Sequence, residues 1–447
     1  MIYFLLFVLL VLHSCASDDS QKMVQSRSQI SDIQDSVPII VLRSYFNEKD
    51  NISFSNLYDG LISGRIVCTS NVVFDLKERL KLEQSPQVIR LKDFVTTDSS
   101  SFLITTIDSV IPSLLVTSID GIHFLRSRER YPLWISATSG YDYNKCFTSY
   151  THTGVTALTR RTGTALNAMG NLKYLELIRP VLGNPDILHI SNEVSISPNC
   201  NYSEMKMKFA TRLEHFELLN ILGADVIELT GNHNLDFGSS AYESTMLWYK
   251  DNGMKVFGGG ITPEQAAAPL ILTMKDSSKV AWIGFNEFCP CGECADKTMG
   301  ANRFQRQAAL ESIQSIRNMV DYVIACVQFG ETDSYTPSGS QKNIARFLID
   351  SGADVVIGSQ AHQPQTFECY QGKMIFYGIG NFMFDQIHRL GVRQAYFLEC
   401  YFFQGRIIQF IPHFTFMGDD RRPAPANDAQ TRAIKSAVYR AEYFLGK

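Results

Sequence analysis

From about residue 146 onward the chain repeats one pattern, a short apolar run followed by a polar loop and then a segment with helical spacing. The runs are ILHI (187–190), DVIEL (225–229), VAWIGF (280–285), YVIACVQF (322–329) and DVVIGS (354–359). Short apolar strands separated by helices demand a largely parallel sheet with helical cover, so the spacing predicts a layered α/β domain over 146–420. Between the runs, residues 208–222 place Phe209, Leu213, Phe216, Leu219 and Leu222 at helical spacing, with Gly223 as a stop. Ser240 and Glu243 form a capping-box pattern opening a helix that ends near Gly253; Thr262, Pro263 and Gln265 supply cap, first-turn proline and box partner for another. Gln371-Gly372 and Gln404-Gly405 predict the turns of two antiparallel hairpins, over 366–377 and 395–410.

The polar residues that follow the runs are Ser191-Asn192-Glu193, Gly231-Asn232-His233, Gln328-Phe329-Gly330-Glu331 and Ser359-Gln360-Ala361-His362. The carboxyl ends of parallel strands lie along one edge, where ligands bind, so these loops are expected to share a cleft. The stretch ELTGNHNLDFG (228–238) adds Asp236. Imidazole with carboxylate and amide oxygen suits Mn, Fe or Zn, or an anion. A lone histidine is more often a structural residue, and it is the pairing of His233 with His362 at strand ends that points to a site.

The first residues set the compartment. Residues 2–12 are continuously apolar, too short as a helix for a bilayer core of roughly 30 Å, and read as the core of a signal peptide over 1–14. Leu12-His13-Ser14-Cys15 resembles the bacterial lipobox, which implies lipidation at Cys15 and an exported, membrane-anchored lipoprotein of the cell envelope. The alternative is signal cleavage and secretion. No Lys or Arg precedes the apolar run, and His13 is unusual in a lipobox. Residues 15–36, rich in Ser, Asp and Gln, read as a flexible tether. Export leaves three readings of CPCGEC (289–294): a disulfide, free buried thiols, or a metal with Cys200 or Cys326 as a further ligand.

Residues 37–140 carry short apolar runs without catalytic clusters, an α/β or α+β domain faintly similar to a lobe of periplasmic solute-binding proteins; 421–447 form a C-terminal segment. Of the 447 residues 45% are hydrophobic and 19% charged, a globular composition. The net charge of -4, with Lys+Arg 41 against Asp+Glu 45, offers no basic footprint for nucleic acid.

HISNEVSI, ELTGNHNLDFGSSAYESTM, VFGGGITPEQAAAPL, VQFGETDSYTPSGSQKNIARFLIDSGADVVIGSQAHQPQTFE and GKMIFYGIGNFMFDQ resemble the CapA family of bacterial capsule and poly-γ-glutamate synthesis proteins. The resemblance runs over about 151–386 and implies a domain similar to calcineurin-like metallophosphoesterases. It also implies a metal ligand where Val155 stands, since the family places a Gly-Asp pair at Gly154-Val155, and imidazoles where Gln328 and Gln360 stand. Valine cannot ligate, and two tightly held metals are not expected. Two functional readings follow, beside a third in which the loops serve the structure alone. One is a hydrolase, phosphoesterase-like or acting on amide bonds, with one weakly held divalent metal on Glu193, Asn232 and His362, and His233 with Asp236 as the acid. The other is a non-catalytic scaffold in which Gln328, Glu331, Gln360 and Arg160 bind an anionic polymer or polysaccharide. Arg161, Arg303 and Arg306 also flank the loops. Membrane proteins of capsule synthesis are the partners the resemblance implies.

Overall fold

The computed structural model describes residues 36–95, 100–136, 140–143, 145–203, 207–288, 294–295, 298–330, 332–440 and 444. Two sheets form the main body. In the first, Lys255–Phe257, Val226–Glu228, Ile187–Asn192 and Thr148–Thr156 run parallel, and the long hairpin Gln394–Phe403 and Arg406–Met417 continues the sheet from Thr148–Thr156. In the second, Lys279–Asn286, Tyr322–Gln328, Val355–Ser359 and Lys373–Phe376 run parallel between antiparallel edges Leu270–Thr273 and Phe367–Tyr370.

Strand alternation sorts the side chains into layers. Ile324 and Cys326 meet Tyr150, Val226 and Phe402 of the other sheet around Trp282. Val323, Ala325 and Val327, one residue out of phase, pack on Ile313 and Leu348 of helices Arg306–Arg317 and Gly339–Asp350. Leu188, Ile190 and Ile227 of the first sheet pack likewise on Leu166 and Tyr249 of helices Arg160–Met169 and Ser239–Asp251. The result is a layered α/β fold, helix on sheet on sheet on helix.

Before it, strand Ser36–Ser44 pairs with Phe102–Thr106, Leu114–Val116 and Trp134–Ser136, and Ile66–Cys68 joins Phe102–Thr106. The core of this sheet continues into Tyr401, Phe403 and Ile408 of the long hairpin. Gln409 locks the seam, accepting from Val116 N at 2.9 Å and donating to Leu114 O at 2.6 Å. Pro423–Pro425 extends the first sheet, and helix Asp428–Val438 follows with a capping box from Asn427 and Gln430.

The strand runs fall where the sequence placed them, and both hairpins form. Gln371 and Gln404 take φ of 51° and 50°, as the turns between twisted strands require. Three local expectations need correction. Residues 208–222 are not one helix: Ala210–Thr211 pairs with Ser195–Ile196, and two short helices follow, Leu213–Phe216 and Leu218–Leu222. Phe209 is held outside them because its N–H donates to Asp236 Oδ2 at 2.7 Å and its ring lies 4.0 Å from that of His233. The helix Ser239–Asp251 starts from Gly238, at φ 87°, without a side-chain cap, so Ser240 and Glu243 make no capping box. Thr262 does cap its helix, but Gln265 Oε1 returns to Ile261 N rather than to the cap residue.

Cys289 and Cys291 lie outside the described residues. Cys294 is disulfide-bonded, whereas Cys200 and Cys326 are free thiols and do not join it.

Candidate ligand-binding cleft

The four loops do meet, but at the strand ends of two facing sheets rather than along one. Glu193 and Asn232 come from the first sheet, Gln328 and Gln360 from the second. Gln328 ends its strand on the inner face, fully buried, and its Nε2 faces three oxygens. They are Glu193 Oε1 at 2.8 Å, Asn232 Oδ1 at 3.2 Å and Gln360 Oε1. Gln328 Oε1 accepts from Asn286 Nδ2 at 2.9 Å, which fixes the orientation of the amide. An NH2 group has two N–H donors, so three converging oxygens resemble the shell of a small cation.

Glu193 is 1% exposed and its Oε2 has no partner. Burial pushes its carboxyl up to about 7, against the opposing pull of His233 and the Gln328 hydrogen bond. Gly231 permits this approach, since a Cβ there would lie 2.8 Å from Glu193 Cα. His233 Nδ1 sits 2.8 Å from Asp236 Oδ2, so the carboxylate sets the ring's orientation and tautomer.

His362 rests its Nδ1 on Asn381 Oδ1 at 2.9 Å, and burial lowers it to about 4, so the ring is neutral at pH 7. Gln360 and His362 hold φ of 82° and 55°, left-handed values that cost such residues roughly 1–3 kcal/mol each and gather at functional loops. Arg160 pairs with Asp385 at 2.5 Å and lies over Phe209 and Phe384, 4.4 and 5.2 Å from the ring centroids. Arg306 stacks on Phe347 instead. Glu331 and Cys15 lie outside the described residues.

Val155 is 1% exposed and packs with Ala157, Val194, Phe209 and Phe384. Gly154 before it is required, because a Cβ would stand 2.0 Å from Gly380 O. As built, the cleft does not hold an ion at the Gln328 position: the wall at Val155 is apolar, and Glu193 Oε1 and Asn232 Oδ1 are turned to that amide, while Glu193 Oε2 is left without a partner. The sequence reading missed Asn286, Asn381 and Asp385. Asn286 was legible by the same strand-end rule, since it closes Lys279–Asn286.

The family described as bacterial capsule synthesis protein PGA_cap matches residues 150–386, more than half of the chain. The chain belongs to this family. The PGA_cap match takes in every cleft residue named above within the described structure and leaves out residues 36–136. Among curated relatives, the PGA biosynthesis protein CapA of Bacillus subtilis is 24% identical over 214 residues, 47% of this chain and 56% of that protein. The capsule biosynthesis protein CapA of Bacillus anthracis is 25% identical over 230 residues, 49% and 56%. A probable polyglutamine synthesis accessory protein of Mycobacterium tuberculosis is 24% identical over 221 residues, 45% and 56%. The PGA_cap chain thus spans about half the length of the curated relatives it matches. Among solved structures, a putative 5'-nucleotidase from Staphylococcus aureus aligns with a TM-score of 0.40 at 13% identity, over 65% of this chain and 58% of that one.

Proposed function

We propose that the protein is an exported envelope component of capsule or poly-γ-glutamate assembly, anchored through Cys15, whose cleft binds an anionic polymer or polysaccharide and hydrolyses nothing through metal ions. The observation that carries this reading is Gln328 Nε2 among Glu193, Asn232 and Gln360. A neutral amide satisfies those oxygens without Lewis acidity, and it cannot generate hydroxide. The unpartnered Glu193 Oε2 is an acceptor for a ligand N–H or O–H, His233 acts on the same carboxyl, and Arg160, paired with Asp385, lies over the Phe209 ring that packs on His233. Membrane proteins of the same assembly are its expected partners.

A second reading, acid–base hydrolysis without metal, is favoured by one observation. Burial pushes the Glu193 carboxyl up to about 7 within electrostatic reach of the His233–Asp236 pair, a range that suits a proton-transferring carboxyl near pH 7. Incubating the purified chain with poly-γ-glutamate of defined length separates the two. Retention of polymer at unchanged length supports binding, shortening that disappears in His233→Ala supports hydrolysis, and no retention at all refutes the proposed role.

A further inference from the structure

A second cluster of donors lies deeper between the sheets. His152, His189 and Glu228 come from three neighbouring strands of the first sheet and Cys326 from the second. Their relative exposures are 2%, 0%, 2% and 0%, and one ligand atom from each lies within 4.8 Å of all the others. The surroundings are apolar, Phe257, Trp282 and Phe402 among them. Nothing in the cleft reading uses these residues, and Cys326 stands one pleat below Gln328 on the same face.

We infer that His152, His189, Glu228 and Cys326 form a closed site for one thiophilic divalent ion, zinc by its donor chemistry. Two imidazoles, a thiolate and a carboxylate are a set that zinc accepts in four-coordination. Tetrahedral bonds of roughly 2.0–2.3 Å space ligand atoms about 3.3–3.8 Å apart, within the span of this cluster. The charge also closes. The ion takes Cys326 as thiolate and Glu228 as carboxylate: the thiol proton leaves, together with the carboxyl proton where Glu228 holds one, no electron moves, and the two anions cancel the ion's charge in an apolar slab.

Outer partners of the kind that orient metal ligands are in place. Tyr150 OH holds His152 Nδ1 at 2.6 Å and is itself held by Trp282 Nε1 at 3.0 Å, while Thr230 Oγ1 donates to Glu228 Oε1. Hydrogen bonding alone leaves the cluster incomplete, because His189 Nε2 reaches Glu228 Oε2 at 3.1 Å but His189 Nδ1 is buried without a partner. Burial lowers both imidazoles, His189 to about 3, so both rings are neutral, and each can turn one unprotonated ring nitrogen to the ion while its N–H stays on the other. The two rings stack at 3.8 Å and 12°, so ligation by both turns one of them out of the stack.

The test uses the full chain refolded with excess zinc, then dialysed against a weak chelator, with metal counted by mass spectrometry. One zinc per chain is expected in wild type and in His362→Ala, and a loss of most of it in Cys326→Ser and Glu228→Gln. Because those variants sit in the core, cobalt-loaded wild type provides a second readout, an intense thiolate-to-cobalt absorption band. A wild-type chain that stays metal-free, zinc that survives Cys326→Ser, or cobalt without the thiolate band overturns the site.

Discussion

Gln328 Nε2 lies 2.8 Å from Glu193 Oε1, each on a different sheet, so one neutral amide joins the two halves of the cleft. Asn232 and Gln360 turn their oxygens to the same nitrogen. The amide thus does structurally what an ion would do, and the chemistry of the cleft changes with it.

Gln328→Leu should expose that dependence. It leaves three buried oxygens without a donor, for an expected loss of roughly 2–5 kcal/mol. Urea unfolding of wild type and variant reads the difference; an unchanged midpoint would show that the amide is not the joint.

Glu193 should make stability fall as pH rises. Its folded-state value, about 7, is raised above the ordinary 4.5, so the folded chain holds this proton more tightly than the unfolded one. The contribution is fully present below about pH 4.5 and is lost as pH rises through about 7, on the order of 3 kcal/mol at about 1.4 kcal/mol per pH unit. Glu193→Gln should flatten that part of the stability profile, measured by denaturant midpoints across the same range.

The architecture was legible because buried parallel strands must be short apolar runs, and ILHI, YVIACVQF and DVVIGS leave little else to be. What the pattern did not show is that the runs divide between two facing sheets, since pairing partners leave no trace in local periodicity. The helix expected over 208–222 failed for a related reason: Phe209 is fixed by Asp236 and His233, residues more than twenty positions away. Within the cleft, residue types at strand ends located Glu193, Asn232, Gln328 and Gln360, but not that they bind one another. His189 was visible as a histidine inside an apolar run, yet only the fold sets it beside His152 and Glu228.

Thiol counting should register the Cys294 bridge. Under denaturing conditions, reactive thiols before reduction should be fewer by two than after, and Cys294→Ser should abolish the difference. Equal counts in wild type would place all the cysteines in the reduced form.

Anchoring should depend on one thiol. In a bacterial host with lipoprotein processing, wild type should take up labelled palmitate and fractionate with membranes, while Cys15→Ser takes up none and becomes soluble. Wild type without label would remove the lipid anchor.

The central claim is that the cleft binds its polymer with an amide standing where an ion would stand. Calorimetric titration of a poly-γ-glutamate oligomer into the purified chain, with and without added Mn2+, tests it most directly. The account predicts the same affinity in both titrations, weakened at least tenfold in Gln360→Ala. Binding or polymer cleavage that appears only with Mn2+ would contradict it.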